Sequence, residues 1–367
     1  MRHPIDRTLL FFTVTLVIVG FFIFTSASLG LLARDGARFS SVAFNQVLFG
    51  IIGGSVALFI ASKIHYRVWR QHAFYIGVAT MLLTLAVFLP HIGASHGGAR
   101  RWLDLGFISF QPSEFLKFGF VVYMATWLSG MKHHIKNFKK GTLPFVALLV
   151  GVALPLLAQP DTDTFLMIAT SCLAMFLVAG GSIRDVALIG VAGIVLIIIL
   201  MFTRPYIKDR IEVFLNPSLD PQGAGYQVKQ SLIAIGSGGV VGRGYGQSIQ
   251  KFEYLPEPIG DSVFAVFAEE FGFIGSLILI GLFGGFTMRG YRIATHAPDL
   301  FGMLLVVGIM TIIVAQIFLN IAAMLALAPL SGLPLPFISH GGTALFTTLA
   351  AVGVVLNIST HQKRVLT

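Results

Sequence analysis

"EYLPEPIGDSVFAVFAEEFG", residues 253–272, changes character halfway along. It opens as a polar, Pro-rich segment and closes as an apolar helix, yet that helix carries Asp261 near its start and Glu269 and Glu270 further in. Whether such a helix crosses a bilayer decides the fold. The composition of the chain answers: 367 residues, 56% of them hydrophobic, 11% charged, with mean hydropathy +0.85. A soluble domain of this size has no use for so much apolar surface, whereas lipid-facing helices require it.

A membrane span takes about 20 apolar residues. Ten runs qualify, at 8–27, 42–62, 72–90, 113–130, 143–159, 163–181, 185–203, 262–287, 300–328 and 343–360. The expected fold is therefore an all-α, polytopic membrane protein, one transmembrane domain over residues 1–367. "TSASLG" after the first run looks like a signal-peptidase site, but nine further spans follow, so the first helix is expected to stay. With the N-terminus inside, fourteen Lys and Arg residues fall in cytoplasmic segments and four (Arg34, Arg38, Arg100, Arg101) in short outer loops. That asymmetry places both termini in the cytoplasm. The net charge of +9 comes from residues scattered between apolar runs, which suits topology signals and anionic head groups rather than nucleic acid. A lone Cys172 excludes an intramolecular disulfide framework.

Residues 204–261 form the large extracytoplasmic loop between the seventh and eighth spans. Within it "YQVKQSLIAIGSGG" has helical apolar spacing and reads as an amphipathic helix along the interface, the remainder as ordered loop. The 91–112 segment is a second outer loop, with Arg100 and Arg101 beside Trp102, and "PLSGLPLPFISHGG" (329–342) reads as a non-helical dip into the outer leaflet.

Several residues carry candidate chemistry. The run "GSGGVVGRGYG" (236–246) lacks the Lys-Ser/Thr ending of a P-loop, so nucleotide binding is not expected. Gly-rich backbone can still approach a phosphate, with Lys229, Arg243 and Lys251 adding charge. The alternative is a plain flexible loop. Arg101 is either a phosphate ligand or a head-group anchor. His91, His96, His133, His134 and His340 form no metal-binding helix pair. Glu114 and Lys117, three apart in a span, can pair with each other, and Lys117 is the leading partner for Glu269 and Glu270. Asp261 reads either as a helix N-cap or as a functional carboxylate. Glu269 lies about 12 Å further along the helix, too far for a cap to explain it. At this level a transporter, a lipid-handling enzyme and a non-enzymatic scaffold remain open.

The motifs "GARRWLDLGFISFQPSEFLK", "NPSLDPQGAGYQVKQSLIAIGSGGVVGRGYGQSIQKFEYLPEP", "DSVFAVFAEEFGFIG" and "GLPLPFISHGG" together resemble the SEDS family, the shape, elongation, division and sporulation proteins, over nearly the whole chain. "GQSIQKFEYLPEP" looks more like the cell-division branch than the elongation branch. The resemblance implies polymerisation of glycan chains from lipid II on the outer face of the cytoplasmic membrane, at the division septum. It also implies a class B penicillin-binding protein and other divisome proteins as partners. The family's essential Asp falls on Asp261, the base for an inverting displacement. Arg101, Lys117, Lys229, Arg243, Lys251 and Glu257 are then candidate substrate-binding residues, with Glu114, Asp161, Glu269, Glu270, Ser339 and His340 in support. No metal ligands are assigned, although Mg2+ or Mn2+ is allowed as a helper at the pyrophosphate. The chain departs from the family at "IGDSVF", at "QPDTDT" and at His340, where His-Thr-Asp-Phe, Pro-Asp-x-Gly-Thr and Tyr are common.

Overall fold

Lipid offers backbone N–H and C=O groups no partners, so a spanning run must pair them within itself, and each of the ten expected spans does form helix. The computed structural model describes residues 4–362 except 91, 97–98, 105–108 and 133. Arg2, His91, His133, Lys363 and Arg364 fall outside them. The chain begins with α1 (Arg7–Arg34), followed by α2 (Gly36–Phe44), a π-helical stretch (Asn45–Gly53) and α3 (Gly54–Lys63). A short α4 (Tyr66–Gln71) leads to α5 (Ala73–Leu85), and α6 (Pro112–Gly130), α7 (Leu143–Ala158), α8 (Thr162–Val178) and α9 (Ile183–Thr203) follow. The long segment 204–261 holds α10 (Pro205–Leu215), α11 (Ala224–Ser237) and α12 (Gln250–Glu253). The chain closes with α13 (Val263–Thr295), α14 (Leu300–Met324) and α15 (Gly342–Ser359). Seven helical stretches are long and apolar enough to cross a membrane. Ala73–Phe88 and Thr162–Val178 are apolar but shorter, and α6 carries Glu114 and Lys117.

Helix α14 is the axis of the bundle, packing against α6, α8, α13 and α15. In α9, by contrast, only Asp185 is buried, held by a 2.6 Å hydrogen bond from Thr142; the rest stands at the rim, against α8 and α10. Two expectations are corrected. The 91–112 loop holds a three-stranded antiparallel sheet, β1 (Gly93–His96), β2 (Ala99–Asp104) and β3 (Ser109–Phe110). Much of 204–261 is helix rather than loop. Helix α10 is moored to α8 by Arg210, whose guanidinium meets both Asp163 oxygens at 3.1 and 2.8 Å. Helix α11 is the expected amphipathic one; its buried face of Val228, Ser231 and Ala234 packs on α13.

The eighth span is not one helix. Gly272 sits at φ 65° and ψ −162°, a conformation open to glycine and strained for any residue with a Cβ, and it divides α13 into 263–271 and 273–295. Breaking a helix strands carbonyls before the break and amides after it. The glycine run supplies their partners: Arg243 and Gly244 donate their amides to the carbonyls of Glu269 and Glu270 at 3.0 and 2.9 Å. Phe273 and Ile274 donate theirs to Gly239 and Val240 at 2.9 and 3.1 Å. The approach is backbone on backbone, and a Cβ on Gly242 would sit 2.1 Å from the Glu270 carbonyl oxygen. Exposed apolar side chains on α13 begin only at Phe273, so the first segment is enclosed by protein.

The two glutamates before the break fasten the chain that crosses it. Glu269 accepts from Ser248 Oγ at 2.5 Å and from the amides of Ile249 and Gln250 at 3.1 and 3.2 Å. Glu270 takes Lys251 Nζ at 2.7 Å and Ser26 Oγ at 2.6 Å, so α1, α12 and α13 meet at one buried ion pair. Lys251 is 1% exposed. Removing one member of such a pair leaves an uncompensated charge, at a cost of about 3–5 kcal/mol. Lys251→Met should therefore lower the unfolding midpoint of the detergent-purified protein steeply, and adding Glu270→Gln should recover most of the loss. An unchanged midpoint in Lys251→Met would remove the clamp from this account.

Candidate active site

Asp261 is not a helix cap. Helix α13 starts at Val263 after Ser262, which makes no side-chain capping bond, and the Asp261 carboxylate turns to α11 instead. There Gln227 Nε2 donates to Asp261 Oδ1 at 3.2 Å and to Ser262 Oγ at 3.0 Å. Burial pushes the Asp261 carboxyl up, the nearby Glu257 charge pushes the same way, and the Gln227 amide opposes them; the result is about 7. A carboxylate poised there can take a proton from a hydroxyl at neutral pH, which an ordinary aspartate does poorly.

The Pro-rich loop that presents Asp261 is plugged in by Leu255 and Ile259, both buried. Leu255 donates its amide to Gln250 at 2.8 Å, and Gly260 and Ser262 donate theirs to the Glu257 carbonyl at 3.0 and 3.3 Å. Glu257 itself takes φ 45°, left-handed backbone in a residue that seldom adopts it, and its side chain stays exposed. Two carbonyls of the loop are held from across the bundle. His340 donates its amide to Ile259 at 2.7 Å, and Asn320 Nδ2 donates to Asp261 at 2.8 Å.

Around Asp261 the structure gathers Glu257, Gln227, Ser262, Asn320 and the backbone of His340. The other candidates form separate groups. Lys117 pairs with Glu114 at 2.9 Å and with Gln316 Oε1 at 3.0 Å, beside a small cavity lined also by Thr347. Its expected pairing with Glu269 and Glu270 is not made, because Lys251 and the 248–250 backbone occupy those carboxylates. Lys251 is corrected from phosphate ligand to clamp residue for the same reason. Arg243 keeps a partly exposed side chain with Nε 3.5 Å from Glu269, two helical turns along from Asp261. Arg101 reaches the 159–161 turn, donating to the carbonyls of Gln159 and Pro160. Asp161 is buried beside it, accepting from Ser113 Oγ at 3.0 Å and from the Thr164 amide at the start of α8. Lys229 stands exposed on α11, two residues from Gln227. Ser339 braces its own turn, accepting the Leu335 amide at 2.7 Å, and the His340 ring lies near Phe24.

Four amides were not singled out by sequence reasoning: Gln46, Gln227, Gln316 and Asn320. A signal existed for two of them. Gln316 and Asn320 are four apart inside the apolar run 300–328, and an amide in a spanning helix turns toward the bundle interior and a polar partner. Gln46 projects from the π-helical stretch, holding the Ser339 carbonyl at 3.3 Å and the Gly341 amide at 3.1 Å. Among the described residues, no three His, Cys, Asp or Glu side chains come together as metal ligands. The described residues thus supply no closed set for the divalent cation allowed above.

The sequence profile of the cell cycle protein family of FtsW, RodA and SpoVE matches residues 7–364. Stage V sporulation protein E of Bacillus subtilis is 37% identical over 361 residues, covering 98% of each chain. A probable peptidoglycan glycosyltransferase FtsW of Geobacter sulfurreducens is 38% identical over 361 residues, covering 98% of this chain and 96% of its own. Among solved structures, a chain from a peptidoglycan synthase complex that coordinates polymerization and crosslinking superposes with TM-score 0.80 at 27% identity, covering 98% of this chain and 99% of its own. The rod shape determining protein RodA of Thermus thermophilus superposes with TM-score 0.72 at 26% identity, covering 98% of each chain. With its motifs in family order and its bundle matched end to end, the chain belongs to the FtsW/RodA/SpoVE family of multi-pass membrane proteins, the SEDS family.

Proposed function

We propose that this protein is a peptidoglycan glycosyltransferase that polymerises lipid II into glycan strands on the outer face of the cytoplasmic membrane, in cell division. The carrying observation is Asp261: a carboxylate freed from helix capping, held by the Gln227 amide and pushed up toward neutrality by burial. In the proposed reaction the 4-hydroxyl of the acceptor sugar attacks the anomeric carbon of the donor. Asp261 takes the hydroxyl proton, the new glycosidic bond forms with inversion, and undecaprenyl pyrophosphate leaves. An α-linked donor giving a β-linked product needs one displacement and no protein nucleophile. Arg101, Arg243 and the exposed Lys229 are the cations left to face the departing pyrophosphate once Lys251 is committed to Glu270. A crosslinking transpeptidase of the penicillin-binding class is the natural partner, as in the related synthase complex, and other divisome proteins would bring both to the septum. A transporter reading would need Lys117, Glu269 and Glu270 on one path. They are closed off in separate clusters instead.

Three outcomes test this reading. Asp261→Asn preserves shape and the bond to Gln227 but removes the base, so purified variant and labelled lipid II should give polymer about 10²–10⁴-fold more slowly, with folding intact. Polymerisation at the wild-type rate by Asp261→Asn would return the site to the transporter and scaffold readings. The pH profile of kcat should rise with a midpoint near 7 and level off above it, because Asp261 acts in its ionised form and burial has raised its pKa. A profile flat from pH 5.5 to 8 would assign the proton to another group. Finally, the outer segment should be reachable from outside: a cysteine at exposed Ser218 should react with an impermeant reagent, and one at exposed Lys136 should not. Cys172 is buried and will not confuse the labelling. The reverse pattern would invert the topology.

A further inference from the structure

The stretch from Ala326 to Gly341, between α14 and α15, has no regular helix or strand, so its carbonyls have no ladder to enter. Helix α14 supplies two amide side chains one turn apart that take this task. Gln316 Nε2 donates to the Pro334 carbonyl at 2.7 Å, and Asn320 Nδ2 donates to the Leu333 carbonyl at 2.8 Å. The second Nδ2 hydrogen of Asn320 goes to the carbonyl of Asp261 at 2.8 Å, so a single fully buried side chain ties that stretch to the proposed base. The other face of Gln316 leads inward: its Oε1 accepts from Lys117 Nζ, whose second partner is Glu114. Lys117 sets the orientation of the Gln316 amide. It donates to an amide oxygen, which fixes which way the Gln316 head points and leaves its Nε2 aimed at Pro334.

We infer that Asn320 and Gln316 are positioning residues for the polymerisation reaction, forming a two-rung frame on α14 that sets where the Asp261 carboxylate stands, with the Glu114–Lys117 pair orienting the lower rung. The inference rests on the proposed role of Asp261. It gives Lys117 and Glu114 a task at a distance, through Gln316, in place of contact with substrate. Each bond in the frame ends on a backbone oxygen, so the frame locates the chain whatever side chains the loop carries. That matters here, since "IGDSVF" and His340 depart from the family's usual residues on both sides of it.

A displacement of the order of 1 Å in a reacting group costs about 10²-fold in rate. Asn320→Leu keeps volume and removes both donors, so kcat with lipid II should fall by about 10²-fold while KM stays within about threefold. The pH profile separates positioning from simple stability. The charged group facing Asp261 is Glu257 on its own loop; α11 offers it the Gln227 amide, and the Asn320 amide from α14 holds its carbonyl. A carboxylate let out of that enclosure regains water, and the acid limb of kcat should move below its wild-type midpoint. Gln316→Leu should move both readouts in the same direction by less. Ser171→Ala removes a comparable buried bond, from α8 to the Gly308 carbonyl at 2.8 Å, and should leave kcat and pH profile unchanged in the folded fraction. A folded Asn320→Leu with wild-type kcat and pH profile would overturn the frame. Should Asn320→Leu not fold, normal kcat and pH dependence in Gln316→Leu would overturn it equally. Asp261→Asn, measured alongside, keeps the two ideas apart: activity there defeats the base itself, whereas an inert Asp261→Asn with an unaffected Asn320→Leu defeats the frame alone.

Discussion

A helix broken inside a bundle leaves backbone groups that water cannot reach, and everything around the candidate site is arranged by how this chain satisfies them. The break at Gly272 is answered by the glycine run 238–246, laid backbone to backbone against residues 268–274. Once that run is fixed in place, the chain leaving it must pass α12 and return to the start of α13, and the Glu269 and Glu270 carboxylates are positioned to hold it as it does. The Pro-rich loop carrying Asp261 is the closing piece of this circuit. The break eleven residues past Asp261 thus sets where this loop must end, while its own buried Leu255 and Ile259 and the donors Asn320 and His340 hold it there.

The three carboxylates of the 253–272 stretch divide into two kinds by what surrounds them. Glu269 and Glu270 are enclosed by donors: two backbone amides and a hydroxyl for one, a lysine and a hydroxyl for the other. Such surroundings commit both carboxylates to structure. Asp261 receives the Gln227 amide, and the backbone amides of Asp261 and Ser262 pull the same way, but the loss of water and the like charge of Glu257 outweigh them. Those surroundings penalise charge and leave the carboxylate ready to accept a proton. What separates them is the neighbouring charge: Arg243 and Lys251 stand at Glu269 and Glu270, whereas Glu257 stands at Asp261.

Much of this was legible in the sequence, and what was not has a physical reason. The ten spans, the helix at 224–237 and the placement of Asp261 outside α13 follow from apolar run length, periodicity and the Pro-rich segment before it. The Glu114–Lys117 pair follows from spacing on one helix. The partner of Glu270 did not, because Lys251 lies 19 residues away in the polar 204–261 segment and nothing local announces that it turns inward. The glycine run was read for its approach to a phosphate. The property was right, since only glycine permits such proximity, but the surface approached is another backbone. The sheet at 93–110 escaped because strands of two to six residues barely alternate.

Helix dipole and burial pull in opposite directions on an acid at a helix start, and the contest is decided here by one residue of register. Had the Asp261 carboxylate capped α13, the free amides of the first turn would have stabilised its charge and held its pKa low. Ser262 stands between it and Val263, and its hydroxyl accepts from Gln227 instead of from the helix. The first turn is left without a side-chain cap, a deficit of about 0.5–2 kcal/mol against a well-capped helix. That deficit is affordable because the 263–271 segment is enclosed on all sides and cannot fray into water. The bundle can thus leave a helix start uncapped while burial holds the neighbouring carboxyl well above the usual aspartate range. Stability is given up locally, at the residue proposed to take the proton.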